Sequence, residues 1–348
     1  MVSDQAYSSD NKISQGPFKL GKWQNSTVQQ FEGSIYAVRI YNRALNNDEL
    51  LNNNSLDIDN YIPRSTDEKI LFDYAIANDI VTTGDGLYNT DIDKYIYKGK
   101  NSLTNYIRFD DSTTLYRILG FNPDGTAKLM GASLMFKTAF DAEQNRNTTD
   151  STYCTMASSV NSEGSYYGCN FFGPVTNYNG KTVSNNSTVL NVFEGWYQGL
   201  PDSIKSKIVE HDFNMGIIRD GSSLDAAREQ AQSVKWTGKV GLVELLEVLD
   251  AGLTTQNTIK TTMYPNNYMQ AMTSTDSMMW LMNGTNTSTY DVWSITFGNG
   301  VSKRRASRTE QLNGKITAYT YAIPSFYISR DVTVTGSGLA LDPYVIKN

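Results

Sequence analysis

The sequence has 348 residues, with 30 basic and 36 acidic side chains and a net charge of −6. We do not expect a nucleic-acid partner, because positive charge clusters only at Lys303–Arg305 with Arg308. We do not expect membrane insertion either, because no segment approaches the roughly 20 apolar residues that span a bilayer. Charged residues make up 19% of the chain, below the roughly 25% of typical soluble domains, while Asn, Ser, Thr and Tyr are abundant, which is typical of an extracellular or virion surface.

Residues 1–56 are predicted to form strands followed by a short helix. Apolar side chains alternate with others over residues 31–40, and Leu45, Leu50 and Leu51 then follow helical spacing. The polar stretch 57–83 contains Pro63 and is predicted to be a linker.

From residue 84 to residue 348, short runs rich in Val, Ile, Tyr and Phe are separated by turn signals. Pro123–Gly125 and Asn299–Gly300 are turn-forming pairs or triplets between two such runs, so each predicts a hairpin corner. The fold class predicted for this region is α+β, with mostly antiparallel strands and a few short helices.

Helices are predicted at 201–211, 222–233 and 242–251. In the third segment the leucines repeat on one face of the helix, which predicts that this face packs against the core.

Cys154 and Cys169 lie in a segment rich in Ser, Gly and Tyr, without a Cys-x-x-Cys motif or a nearby histidine. A disulfide that closes this loop is favoured over a metal site or two free thiols. The loop closure would stabilise the fold by about 3 kcal/mol, and it suits an oxidising compartment.

The segment FEGSIYAVRIYNRALNNDEL resembles the closing strands and terminal helix of the laminin-G or concanavalin-like jelly rolls of bacterial surface proteins. The resemblance implies that residues 1–56 are part of a β-sandwich. Its earlier strands would then belong to a longer protein or to a sheet elsewhere.

Residues 84–348 resemble the DUF6273 domain of surface proteins of Gram-positive gut bacteria and their phages. The motifs include GDGLYNTDIDKYIYKG, WTGKVGL, the paired cysteines and AIPSFYISRDVTVTGSGLALDPYVI. This resemblance implies a C-type-lectin-like or formylglycine-enzyme-like scaffold that presents a binding face near its C-terminus. At 322–325 the chain has Ala-Ile-Pro-Ser where that family has Val-Arg-Pro-Val.

Catalytic chemistry finds few candidates in the sequence. His211 is the one histidine, so no zinc triad of histidines can form, and we expect a structural role for it. The carboxylate pairs Asp91/Asp93, Asp110/Asp111 and Glu244/Glu247 would suit glycoside hydrolysis if they faced a cleft, but solvated turns or helix faces are the simpler expectation.

Calcium is the one metal ion that the clustered acidic residues could bind. Hard oxygen ligands cluster at Asp57/Asp59 and at Asp91/Asp93, although neither has the spacing of an EF-hand loop. No other cofactor is predicted.

Aromatic and basic residues concentrate between positions 280 and 330, among Asn, Ser and Thr. Aromatic faces beside Arg donors suit sugar rings or a protein epitope, so we predict a ligand-binding set here. Its members are Trp280, Tyr290, Arg304, Arg305, Arg308, Tyr319 and Tyr321. Trp293 and Phe297 fall on one face of a strand and are expected to be buried instead.

The function expected from these features is a non-enzymatic extracellular recognition module, adhesin-like or phage receptor-binding. It would contact a surface glycan or a protein receptor, as a homo-oligomer or as part of a larger assembly. One alternative is a structural virion or filament subunit whose partial sandwich is completed by a neighbouring chain. Another is a glycan-processing enzyme.

Overall fold

The computed structural model describes residues 41, 43–45, 66–90, 94–100, 103–142, 168–254, 257–274, 277–296, 300–306 and 319–347. The chain divides into two compact units, Met1–Pro63 and Arg64–Asn348. The strands predicted for the first unit lie outside the described residues, so the partial β-sandwich remains a prediction.

The second unit begins earlier than the sequence predicted. The first strand (β1, Lys69–Ile70) and the first helix (α1, Leu71–Asn78) lie within the stretch 57–83 that its polar composition assigned to a linker. Leu71, Phe72 and Ala75 are buried, and the Leu71 amide donates to the Val332 carbonyl at 3.0 Å. This part of the stretch is therefore integral to the fold, because three apolar side chains at helical spacing outweigh its polar average.

Most of the described secondary structure is strand. After β1 the strands are β2 Gly86–Asn89, β3 Tyr95–Lys98, β4 Tyr106–Phe109, β5 Tyr116–Phe121, β6 Ala127–Gly131, β7 Phe136–Lys137, β8 Val175–Tyr178, β9 Lys181–Val183, β10 Ile208–Val209, β11 His211–Asn214, β12 Lys235–Gly238, β13 Ser277–Gly284, β14 Asp291–Thr296, β15 Gly300–Arg305, β16 Tyr319–Ala322, β17 Ser325–Ile328, β18 Thr333–Thr335 and β19 Tyr344–Ile346.

The helices are short. After α1 they are α2 Thr188–Gln198, α3 Asp202–Lys205, α4 Leu224–Gln232, α5 Leu245–Asp250 and α6 Tyr268–Ala271. None of the helices in the described ranges has the length and apolar character needed to cross a membrane.

A ten-stranded sheet is the largest element of the fold. Its main path runs β1-β18-β19-β4-β5-β6-β17-β10, and β3 joins at β5 and carries β2. Neighbouring strands are antiparallel except for β19 and β4, which run parallel. A second sheet has the order β15-β14-β13-β16-β7, with β13 and β16 parallel, and two separate hairpins pair β8 with β9 and β11 with β12. The α+β class with mostly antiparallel strands is thus confirmed.

Strand β13 separates two hydrophobic cores. Met279 and Leu281 pack into the larger core, while Trp280 and Met282 point to the other face and pack into the second core. Successive side chains of a strand point to opposite faces, so a strand covered on both sides buries all of its side chains. All eight residues of β13 are buried.

The predicted corner at Pro123–Gly125 is confirmed, and so is the antiparallel pairing of the two strands that Asn299–Gly300 was predicted to join. Pro123–Gly125 joins β5 to β6, and Gly125 takes a φ of +85°, which an L side chain rarely adopts. Strands β14 and β15 pair antiparallel from Asp291↔Arg305 to Thr296↔Gly300, and Asn299 lies outside the described residues.

The helix predictions were partly right. Segments 222–233 and 242–251 contain α4 and α5, and Glu244 and Glu247 form a capping box at the start of α5. Segment 201–211 is helical only over α3, since Ile208 and Val209 pair with β17. Helix α2 was not predicted; Ser187 caps it, and its oxygen accepts from the Leu190 amide at 3.1 Å.

Candidate functional site

Trp280 was predicted to bind ligand, and its position corrects that expectation. The side chain has no exposed surface, and its indole N–H donates to the Thr138 carbonyl at 2.9 Å. Its ring packs edge-on against Phe140, with centroids 5.8 Å apart. Trp280 is therefore a core residue, because β13 is covered on both faces. Trp293 is buried as predicted, and Phe297 lies outside the described residues.

The other predicted ligand-binding residues do not form one patch. Tyr290, Arg305 and Arg304 lie on or beside the edge strand β15, whereas Tyr321 lies on β16, with β14 and β13 in between. Adjacent strands are about 4.8 Å apart, so three steps put Tyr321 roughly 14 Å from the arginines along the sheet.

Arg304 and Arg305 point to opposite faces of β15, as neighbours in a strand do. Burial lowers the pKa of Arg304, and its Nε has no hydrogen-bond partner among the described residues. Arg308 and the side chain of Tyr319 lie outside the described residues. A ligand role for the partly exposed members remains a prediction.

His211 is held by three contacts. Its Nδ1 lies 3.0 Å from the Asp212 carbonyl oxygen and its Nε2 lies 3.1 Å from Nδ2 of Asn122. The carbonyl only accepts and the amide nitrogen only donates, so the neutral ring carries its proton on Nδ1. The ring also stacks on Tyr327 with centroids 3.8 Å apart. These contacts support a structural role.

Glu244 and Glu247 surround a buried lysine. The Lys128 Nζ lies 2.8 Å from Glu247 and 3.6 Å from Glu244. Burial alone lowers the pKa of Lys128, but Glu247, Tyr327 and Glu244 outweigh it, so the pKa is raised and the lysine stays charged. The expectation of a solvated helix face was wrong for Glu244, which is buried.

Asp110 and Asp111 lie in an exposed turn, as predicted. Asp110 pairs with Lys347 at 3.3 Å, and Asp111 accepts a hydrogen bond from Ser203 at 2.6 Å. The calcium candidates Asp57/Asp59 and Asp91/Asp93 lie outside the described residues, so calcium stays a prediction. Within the described ranges no three His, Cys, Asp or Glu side chains are grouped to hold a metal.

Cys169 is buried in the second core, and its amide donates to the Asp141 carboxylate at 2.7 Å. Cys154 lies outside the described residues. The disulfide between them therefore remains a prediction.

A groove of about 670 Å³ opens on the surface beside the second core. Three separate parts of the chain line it: the first strand of the β8–β9 hairpin with its turn, residues 217–219, and the segment from Glu229 on α4 to Lys235 on β12. Small-molecule sites range over about 300–1,000 Å³. The groove is thus large enough for one or two sugar rings, and most of its lining residues are polar.

The β8–β9 hairpin positions the aromatic ring of the groove. Tyr178 pairs with Lys181 across Asn179 and Gly180, which have φ angles of +51° and +77°. Two left-handed residues form a type I′ turn, for which Asn-Gly is the preferred pair. The Asn177 side chain accepts from the Gly180 amide at 3.0 Å and locks the corner.

Tyr178 is anchored from below. Its ring packs edge-on against the buried Phe171, with centroids 5.1 Å apart. The ring remains partly exposed and lines the groove. Because the turn and Phe171 already hold it, little side-chain entropy would be lost when a ligand packs against it.

The opposite wall is tied together by Gln230. Its Oε1 accepts from the Arg219 amide at 2.8 Å and from the Ser222 hydroxyl at 3.2 Å. These two hydrogen bonds attach the loop that contains Arg219 to helix α4. The wall therefore presents its charged side chains from a braced backbone.

The groove carries both signs of charge. Arg219, Lys235 and Glu229 are its charged lining residues in the described part of the chain. Burial raises the pKa of Tyr178, while the positive charge of Arg219 acts in the opposite direction. Lys235 pairs with Asp212 at 3.1 Å.

A second cavity lies between Lys128, Tyr268 and Tyr327, but its volume is only about 20 Å³. One water molecule needs about 10–15 Å³ by this measure, so a sugar or a peptide does not fit. The groove is therefore the better candidate site.

Sequence patterns do not predict the groove, because its three parts are distant along the chain. The one local signal was Asn179–Gly180 directly after Tyr178, which predicts a hairpin that presents an aromatic residue. Comparison of the chain with models of protein families, with curated proteins and with solved structures gives no match.

Proposed function

We propose that this chain is a non-enzymatic recognition module that works outside the cell and binds a surface glycan in the groove beside Tyr178. The observation that carries this proposal is the groove itself: it is mostly polar, it has the volume of a small-molecule site, and it contains one pre-positioned aromatic ring. Sugars present apolar C–H faces and many hydroxyl groups, which an aromatic face and polar neighbours complement.

The charged groups of the groove support binding better than hydrolysis. Glycoside hydrolysis uses two carboxyl groups, about 5–9.5 Å apart. Among the described lining residues Glu229 supplies the carboxylate, while Arg219 and Lys235 are cationic. A glycan-processing enzyme would need a second acid on the facing wall, where Tyr178 lies.

The cellular setting belongs to the same proposal. A composition poor in charge and rich in Asn, Ser, Thr and Tyr supports an extracellular place, on a Gram-positive cell surface or a phage particle. The proposal includes a C-type-lectin-like arrangement of the second unit, which follows from the resemblance of residues 84–348. It also includes a homo-oligomeric or larger assembly.

A glycan array probed with the full chain tests the proposal. We expect a reproducible set of bound glycans whose signal falls at least tenfold in Tyr178→Ala and is largely kept in Tyr178→Phe, because phenylalanine keeps the ring. Thermal unfolding of each variant shows whether the fold is retained.

Arg305→Ala serves as the comparison variant, since it lies in the region that the sequence favoured. Unchanged binding in Arg305→Ala together with loss in Tyr178→Ala would place the site in the groove. Absence of any glycan signal, or binding insensitive to Tyr178→Ala, would overturn the proposal.

A further inference from the structure

Arg219 lines the groove as an exposed cation. It follows Ile218, whose amide bonds to the Gly284 carbonyl, and its own amide bonds to Gln230. Tyr178 lines the same groove. Two hydrogen bonds thus hold the backbone that presents Arg219 to the groove.

Asp220 and Asp212 are paired with other cations, whereas Glu229 lines the groove together with Arg219. Asp220, next in the chain, pairs with Lys303 at 2.9 Å, and Asp212 pairs with Lys235 at 3.1 Å. No carboxylate of the described residues forms an ion pair with Arg219. Glu229 is the acidic lining residue, on α4, and Lys235 is the remaining basic one.

We propose that the groove selects an acidic sugar, one whose ring carries a carboxylate; this inference rests on the proposed glycan-binding function of the same groove. The guanidinium of Arg219 donates two parallel N–H···O bonds to the sugar carboxylate, a geometry that a planar fork matches and an ammonium does not. The ring of the sugar packs on Tyr178. Glu229 faces the same space, so the carboxylate sits at the Arg219 end of the groove.

The test compares matched sugars by calorimetry with the full chain. A glucuronate-containing oligosaccharide is paired with its carboxyl-reduced glucose form, and sialyllactose with lactose. A sulfated sugar of the same backbone is the third arm. For the wild type we expect each carboxylated sugar to bind at least tenfold more tightly than its neutral partner, and more tightly than the sulfated one.

The variants assign the preference to Arg219. In Arg219→Gln the two members of each pair should bind within twofold of each other, because the charge that distinguishes them is gone. Arg219→Lys should keep a smaller preference, because the charge remains and the bidentate geometry is lost. Lys260→Gln removes one charge from an exposed position outside the groove lining and should keep the full preference.

The possible outcomes distinguish the selectivity for acidic sugars from the glycan-binding function on which it rests. Neutral sugars that bind in a Tyr178-dependent way, without a carboxylate preference or with a preference that survives Arg219→Gln, would refute the acidic-sugar selectivity alone. Equal binding of the sulfated sugar would also refute it. If sugars of neither kind bind, both the selectivity and the glycan-binding function fail.

Discussion

Trp280 and Tyr178 are both strand aromatics, yet the fold uses them in opposite ways. Trp280 lies in the eight-residue strand β13, which has a paired strand on each side and a core on each face. Tyr178 lies at the end of β8 in a separate two-stranded hairpin, with Phe171 beneath it and the groove in front of it.

The difference shows that the pairing of a strand decides what its aromatics do. Both faces of a central strand are packed against other elements. Aromatic residues in such a strand are therefore expected in the hydrophobic core and not in a ligand-binding site. A short hairpin cannot bury both faces, and its aromatic residue is left at the surface with polar neighbours. The following variants test this contrast, from the largest expected effect to the smallest.

Trp280→Ala should lower the free energy of unfolding by about 3–5 kcal/mol, since it leaves a cavity in the second core. Chemical denaturation measures this loss. At a temperature where the variant is folded, glycan binding should equal that of the wild type. Loss of binding without loss of stability would return Trp280 to the ligand site.

Lys128→Met should cost about 3–5 kcal/mol as well, because Glu244 and Glu247 would lose the buried cation that neutralises them. The triple variant Lys128→Met/Glu244→Gln/Glu247→Gln should recover most of this lost stability. Denaturant unfolding of the single and the triple variant measures the difference. A single variant as stable as the wild type would mean that the ion cluster contributes little.

Tyr178→Ala should weaken glycan binding by about 2 kcal/mol, the size of an interface hot spot, and lower the stability by only about 0.5–1.5 kcal/mol through the lost contact with Phe171. Calorimetric titration and thermal unfolding of the same sample separate the two effects. A stability loss as large as that of Trp280→Ala would show that Tyr178 is also a core residue.

Asn177→Ala should destabilise by about 1 kcal/mol, because Asn177 has a φ of +61° and its side chain holds the Gly180 amide. Asn177→Gly relieves the backbone strain and should recover part of the loss. Unfolding curves of the two variants give their stabilities. If Asn177→Ala were more stable than Asn177→Gly, the strained backbone at Asn177 would be contradicted.

Asp212→Asn should have the smallest effect, below about 1 kcal/mol, because the Asp212–Lys235 pair is largely exposed. Hydrogen bonds from Thr237 and Lys235 lower the pKa of Asp212. A carboxyl with a lowered folded-state pKa stabilises above its unfolded pKa of about 3.9 and loses that contribution as the pH falls through the folded value. The stability gap between wild type and Asp212→Asn should therefore shrink below about pH 4.

Local signals in the sequence predicted the parts of the fold that local geometry determines. Pro123–Gly125 specifies its hairpin wherever the strands lie, and the leucines of α5 define its buried face. Helix α2 was not predicted, because its valine and aromatic residues have low helix propensity. Val189 and Phe193 are nevertheless four apart on one face.

The site was less predictable than the fold, for a physical reason. Strand order is set by contacts between distant segments, and the aromatic residues from 280 to 330 look alike in sequence whether they face a core or a ligand. The groove is assembled from Tyr178, Arg219 and Lys235, which only tertiary packing brings together. Of these, only Tyr178 carries a local signal.

The position of β19 makes the large sheet depend on a pairing between two segments that lie far apart in the chain. Residues 344–346 insert between β18 and β4, and β4 was translated more than 230 residues earlier. Until that segment leaves the ribosome, β4 keeps an open backbone edge that other chains can join. We therefore expect a chain truncated just before residue 344 to aggregate rather than to form a smaller folded domain, which sedimentation of that variant would check.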